Sequence, residues 1–189
     1  MPPKVKISRE EVLQAAIETV RKKGIGAVNA RDLARELSCS TQPIFFNFSS
    51  MSALREALCV EVNALYNAYI TREMESGIYP PYKASGMAYI RFASEEKELF
   101  KLLFMRDRTE EVLPSGADRE LEPLLALIEK QVGISREEAR LFHLEMWVTV
   151  HGIATMTATD YLALDTELVS RILTDTYLGL CARYASREV

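Results

Sequence analysis

Hydrophobic residues recur along most of the chain at intervals of three and four, and no stretch alternates in the manner of a β-strand. This spacing predicts amphipathic α-helices. The first stripe consists of Val12, Leu13, Ala16, Ile17 and Val20. Ser8 and Glu11 form a capping-box pattern ahead of it, and Gly24 follows it as a C-cap. The chain therefore begins with a helix that ends at Gly24.

A second pattern, between residues 29 and 48, predicts two short helices joined by a tight turn. Asn29 is a favourable N-cap, and Ser38-Cys39 interrupts the apolar spacing that follows it. We expect the Ser40 hydroxyl to cap the next helix by accepting from the Gln42 amide, with Pro43 in the first turn. Two helices in this arrangement form a helix-turn-helix, whose second helix enters the major groove of DNA.

The rest of the chain continues the helical pattern. A long fourth helix should run from about residue 51 to Gly77. Further helices are predicted at 82–94, 96–105, 119–132, 136–159 and 166–187, with a polar loop at 106–118. The predicted fold is all-α, with a helix-turn-helix domain at 1–52 and a helical-bundle domain at 53–189.

The charge is divided unevenly between these two parts. The whole chain carries a net charge of −4, which taken alone argues against nucleic-acid binding. Residues 1–52, however, contain eight Lys and Arg against five Asp and Glu, net +3, and the remainder contains fifteen against twenty-two, net −7. A basic N-terminal domain on an acidic C-terminal domain fits a protein that binds nucleic acid at one end.

Other compositional signals narrow the class of protein. No apolar run is long enough for a membrane span, and the N-terminus lacks the apolar core of a signal peptide. The three cysteines, Cys39, Cys59 and Cys181, have no metal-ligand spacing. We expect a cytoplasmic protein with no membrane partner, and reduced, packed cysteines.

The sequence contains no recognisable catalytic constellation. Nucleophile-elbow, phosphate-loop and His-Glu-x-x-His motifs are absent. His143 and His151 lie roughly 12 Å apart along one helix, too far to share an ion. His151 is the one residue that would favour an enzymatic function. We therefore expect no enzymatic activity, no metal and no cofactor.

Residues 8 to about 58 resemble the DNA-binding domain of the tetracycline-repressor-like (TetR) family of transcriptional regulators. The resemblance rests on the capped first helix, Lys23-Gly24, the Arg31 to Ala34 segment and the Ile44 to Phe48 segment, at matching spacing. Trp147, His151 and Gly152 further resemble the family's Trp-His-Gly type of ligand domain. The resemblance implies a homodimeric repressor that binds a palindromic double-stranded operator and releases it when a small apolar or amphipathic effector binds.

The candidate DNA contacts follow from an absence of charge around the turn. No charged residue lies between Ser38 and Leu54, so bases must be read by uncharged side chains. We assign this role to Thr41, Gln42, Phe45 and Asn47. The candidate phosphate contacts are the helix N-termini at Ala30 and Thr41, the Ser40 hydroxyl, and the cations Arg31, Lys4 and Lys6.

Three positions depart from the family pattern. Ser38 stands where the family usually has Gly, Phe45 where it has Tyr, and Met51 where it has Lys. The last two replacements remove a hydroxyl and a charge that normally contact phosphate. They leave open an alternative: a dimeric small-molecule binding protein with weakened or lost DNA binding.

The candidate effector site lies in the C-terminal helices. Its proposed lining is Tyr66, Met87, Phe92, Phe104, Met105, Trp147 and His151. Two interpretations of these residues remain open. They could line a pocket in which His151 bonds a ligand, or they could be packed core, with His151 bonded to a backbone carbonyl.

The last two helices predict the oligomeric state. Apolar residues cover more than one face of both 136–159 and 166–187. A helix that is apolar on two sides must be buried on two sides. We therefore expect these helices to pack against a second copy of the chain.

Overall fold

The computed structural model describes residues 7–106 and 117–186, and these residues form α-helices and one short 3₁₀ turn, with no strand. The all-α fold class is confirmed. The helices are α1 Arg9–Lys23, α2 Ala30–Glu36, α3 Gln42–Asn47, α4 Met51–Glu75, α5 Pro81–Glu95, α6 Lys97–Phe104, α7 Ala117–Val132, α8 Arg136–Ala158 and α9 Thr166–Ala185. Lys4, Lys6 and most of the predicted loop at 106–118 lie outside the described residues.

The described residues form two compact units. One contains the residues up to Ala68 together with Glu95–Arg106, and the other contains Tyr69–Ser94 and the residues from α7 onward. We call them the head and the body. The boundary predicted after residue 52 falls inside the head, and as a division of function it stays a prediction.

In the head, α1 has the ends that its sequence predicts. The Ser8 hydroxyl accepts from the Glu11 amide, and the Glu11 carboxylate accepts from the Ser8 amide, so the capping box is complete. The predicted stripe from Val12 to Val20 is buried. Gly24 follows with a φ of 76°, and its amide donates to the Val20 carbonyl. Gly24 is therefore the C-cap, as predicted, but its ψ of 169° lies outside the left-handed helical region expected for this glycine.

The turn between α2 and α3 is a Schellman motif in which Ser38 takes the left-handed position. The Cys39 amide donates to the Ala34 carbonyl at 2.9 Å, and the Ser38 amide donates to the Arg35 carbonyl at 3.2 Å. Ser38 has a φ of 50°, a conformation that favours glycine because other residues crowd Cβ against the backbone. The chain therefore keeps this turn with a residue that is strained in it.

Ser38→Gly should stabilise the head by roughly 0.5–1 kcal/mol, because relief of left-handed strain exceeds the added chain entropy of glycine. Urea denaturation followed by circular dichroism measures the change. Ser40→Gly is the matched control, since Ser40 has no positive φ. An equal effect of both substitutions would contradict strain at Ser38.

The start of α3 differs from the prediction. Thr41, rather than Ser40, occupies the cap position, and no side chain there makes a capping hydrogen bond. The expected bond from the Gln42 amide to the Ser40 hydroxyl is therefore wrong. Thr41 has helical dihedrals (φ −69°, ψ −14°), so the chain enters α3 through a turn that does not direct Ser40 at the amides. Pro43 lies in the first turn, as predicted.

The body packs around an aromatic and aliphatic cluster contributed by four of its helices. Its buried members are Tyr82, Leu125, Ile128, Ala139, Phe142, Met146 and Tyr184.

The predicted capping box at the start of α8 is present, with the Ser135 hydroxyl accepting from the Glu138 amide. α4 is unbroken from Met51 to Glu75, which confirms the long fourth helix.

Candidate functional site

The exposed surface of α3 is uncharged and aromatic. Gln42 is exposed, Phe45 is 49% exposed and Phe46 is 79% exposed. On the opposite side, Ile44 is fully buried and anchors the helix to the head. α3 thus presents one amide and two phenyl rings, groups that can hydrogen-bond a base edge or contact a thymine methyl.

Asn47 fixes the orientation of α3. Its side-chain amide donates to the Pro43 carbonyl at 2.9 Å and to the Ile7 carbonyl at 3.1 Å. The second bond joins the end of α3 to the residues ahead of α1. These bonds engage the Asn47 amide nitrogen and position α3, and the base-reading role expected of Asn47 stays a prediction.

The cations of the head differ in how they are engaged. The Arg21 guanidinium donates two hydrogen bonds to Glu96, with Nε–Oε2 and Nη2–Oε1 distances of 2.9 and 2.7 Å. It also donates to Glu18. These carboxylates, Glu96 foremost, raise the pKa of Arg21. Arg31 lies exposed in the first turn of α2, where the Asn29 side chain caps the Arg31 and Asp32 amides, as predicted for Asn29. Arg31 is thus better disposed than Arg21 to contact phosphate.

Three of the predicted effector residues lie in the head. Tyr66 on α4 packs edge-to-face against Phe104 on α6, with ring centroids 5.2 Å apart and planes at 75°. Phe104 also contacts Phe100 at 5.2 Å. Met105 follows α6 and is exposed. Tyr66 and Phe104 therefore form a packed aromatic pair.

The other four lie in the body, two of them buried on α5 and two stacked on each other on α8. Met87 and Phe92 on α5 are buried, and Phe92 packs against Tyr69 at 5.3 Å. Trp147 stacks on His151 with centroids 4.8 Å apart and planes at 13°, and Trp147 is 42% exposed. Trp147 is therefore not a core residue.

The His151 ring is held from a second side by α5. Its Nδ1 lies 2.8 Å from the Tyr89 hydroxyl. A similar pair occurs two turns earlier, where His143 Nδ1 lies 3.1 Å from the Tyr82 hydroxyl. Burial lowers the pKa of both imidazoles because it disfavours the charged form. Burial thus favours the neutral form of both rings.

The stacked pair makes a measurable prediction. Trp147 is the sole tryptophan, and a protonated imidazole stacked on an indole quenches its fluorescence by accepting an electron. Emission should therefore fall as the pH is lowered, with a midpoint below 6.5, the ordinary histidine value. His151→Gln should remove this titration, and His143→Gln should leave it intact. An unchanged titration in the first variant would rule out the stack as its origin.

Apolar side chains are exposed along one face of α8 and on α9. On α8 they are Leu141, Leu144, Trp147 and Val148, and on α9 Leu178 is exposed. The opposite face of α8 is buried through Phe142, Met146, Val150 and Ile153. α8 is thus apolar on both sides, as its sequence predicted, and the residues that the structure describes cover only one side.

Two features of the structure were not predicted from the sequence. Phe46 is the most exposed aromatic of α3 and follows directly on Phe45. Glu73 is buried and pairs with Arg91 at 2.7 Å. The sequence contained a signal for this buried charge. Glu73 lies four residues after Tyr69, at the next position of the apolar stripe of α4, where the helical spacing predicts a buried side chain.

Within residues 7–106 and 117–186, no helix combines the length and apolar character needed to cross a bilayer. No group of three or more His, Cys, Asp or Glu side chains in the same ranges could hold a metal ion.

The chain combines a helix-turn-helix with a helical C-terminal part. This arrangement is the one found in a class of helix-turn-helix regulators. Residues 82–177 match the family described as "Tetracyclin repressor-like, C-terminal domain". The chain belongs to the TetR family.

Individual relatives agree with this assignment. The class D tetracycline repressor protein of Escherichia coli is 31% identical over 64 residues, which span 34% of this chain and 29% of that protein. A TetR-like transcriptional regulator from Rhodococcus sp. RHA1 aligns over 98% of both chains with a TM-score of 0.67 and 14% identity. The multidrug binding protein EbrR, complexed with imidazole, aligns over 89% of this chain and 93% of its own, with a TM-score of 0.61 and 17% identity. The structural likenesses extend the shared fold over nearly the whole chain.

Proposed function

We propose that this protein is a transcriptional repressor that binds a palindromic DNA operator as a homodimer and releases it when a small apolar or amphipathic molecule binds. The observation that carries the proposal is α3, which is anchored by Ile44 and Asn47 and presents Gln42 and Phe45 outward. A rigid helix with exposed groups suited to base edges is what a recognition helix requires.

In this proposal, base reading falls to Thr41 and Gln42, with Phe45 and Phe46 making apolar contacts. Phosphate contacts fall to Arg31, the Ser40 hydroxyl, and Lys4 and Lys6. Each neutralised phosphate contributes about 0.9 to the slope of log affinity against log salt concentration. With two or three cations per head, a dimer should show a slope of roughly 4 to 5.

Selection of duplexes from a random DNA library by the purified protein at low salt tests the proposal. We expect an enriched palindrome whose half-site centres lie about one helical turn, roughly 34–36 Å, apart. Failure to enrich any sequence would favour the alternative of a small-molecule binding protein without DNA binding, which the replacements at Phe45 and Met51 motivate.

The effector part of the proposal rests on the aromatic residues of the body and on the Trp147–His151 stack. The description of EbrR as a multidrug binding protein supports small-molecule binding by this fold. Linkage requires that a releasing effector bind the free protein more tightly than the operator-bound protein. A ligand with equal affinity for both forms would contradict release by that ligand.

The dimer part of the proposal rests on the uncovered apolar face of α8 and on the exposed Leu178 of α9. We expect α8 and α9 to pack against a second copy and to bury more than about 1,000 Å² in total, the range of stable biological interfaces. Analytical ultracentrifugation at micromolar concentration should show a dimer. A stable monomer at that concentration would contradict this part.

A further inference from the structure

Glu73 is the one charged residue that is buried among those the structure describes, at 2% exposure. It lies near the end of α4, within the body. Its Oε2 accepts from the Arg91 guanidinium on α5 at 2.7 Å, while its buried Oε1 has no hydrogen-bond partner among the described residues. One acceptor of this carboxylate is thus paired and the other is not.

Stability does not account for this arrangement. A buried carboxylate is tolerated when donors satisfy its lone pairs, and leaving one oxygen unsatisfied disfavours the folded state. An apolar side chain at this stripe position would avoid that loss. Groups that destabilise a fold and have no structural role are common at functional sites.

Aromatic residues adjoin the pair along both helices. Tyr69 lies one turn before Glu73 on α4, and Phe92 is adjacent to Arg91 on α5. The Tyr69 and Phe92 rings meet edge-to-face, with centroids 5.3 Å apart and planes at 74°. A single acceptor beside apolar rings is the chemical pattern of sites that orient amphipathic small molecules.

We propose that Glu73 Oε1 anchors the effector by accepting a hydrogen bond from an O–H or N–H group on a neutral, aromatic molecule. This inference rests on the effector response proposed above. A neutral donor is favoured over a cation because the Arg91 guanidinium already balances the carboxylate charge and would repel a second positive group. Since Oε1 is buried, the donor reaches it only when the packing around Glu73 opens, so binding is coupled to a local rearrangement.

Binding of 2-naphthol and 2-methoxynaphthalene to the full-length protein without DNA, measured by calorimetry, tests the proposal. The two probes share an apolar body, and only 2-naphthol has a donor. Wild type should prefer 2-naphthol on the order of tenfold or more, as expected for a hydrogen bond to a charged acceptor. Glu73→Met should remove the preference. Glu75→Met, an exposed position two residues away, is the control and should retain it.

Glu73→Gln, which preserves the side-chain shape, repeats the test if the methionine variant does not fold, and it should weaken the preference severalfold. Retention of the full preference in a folded Glu73 variant would overturn the proposal and leave the Glu73–Arg91 pair as a purely structural link. Failure of wild type to prefer 2-naphthol would also overturn it. Neither result bears on operator selection, so failure of the anchor and failure of the proposed function are distinguishable.

Discussion

Val148→Lys should convert the protein from a dimer to a monomer and weaken binding to a palindromic operator by about 100-fold or more, the usual scale of the gain from bivalent binding. Val148 is exposed at the centre of the uncovered apolar face of α8, beside Leu144 and Trp147. A lysine there would have to be buried without a partner in the proposed interface, which is strongly unfavourable.

Analytical ultracentrifugation and operator titration measure the two effects together. Thr159→Lys is the matched control, because it introduces the same charge at the exposed C-cap of the same helix. It should leave both properties unchanged. A Val148→Lys protein that stays dimeric would show that the interface lies elsewhere.

Phe142→Ala should lower the free energy of unfolding by about 3–5 kcal/mol, the range for removing a fully buried aromatic ring. Phe142 is fully buried, and its ring centroid lies 5.4 Å from that of Tyr177, 5.9 Å from Tyr184 and 6.4 Å from Tyr82. The cavity would therefore open between α5, α8 and α9.

Urea denaturation of the wild-type and Phe142→Ala proteins under identical conditions measures this change. Tyr161→Ala removes an aromatic ring that is exposed, and it should have little effect. A loss at Phe142 no larger than that at Tyr161 would mean that the aromatic cluster does not carry the stability of the body.

The helices and several of their ends were predictable because their signals are local. Ser8 with Glu11 and Ser135 with Glu138 are capping boxes that depend on four consecutive residues, and both are present. Asn29 caps α2 for the same reason. The entry to α3 was predicted less well, because the dihedrals of Thr41 and not the presence of a serine decide whether a side chain reaches the amides.

The candidate sites were less predictable because they depend on partners distant in sequence. Helical spacing placed Trp147 and His151 on one face, but only the position of α5 brings Tyr89 to His151. Likewise, the sequence makes Asn47 a plausible base reader, and only the structure shows that its side chain donates to the Ile7 carbonyl ahead of α1. Whether a polar side chain is available to a ligand is decided by such contacts, and periodicity alone does not contain them.

The most direct test of the proposed repressor is the affinity of Gln42→Ala for a selected operator, with Arg31→Ala measured beside it. If Gln42 makes a bidentate base contact, its loss should weaken binding by roughly 1–3 kcal/mol and relax the preference at one base pair of each half-site. Arg31→Ala should instead weaken binding to all sequences alike and lower the salt slope. If Gln42→Ala leaves both affinity and sequence preference unchanged, α3 does not read DNA as proposed.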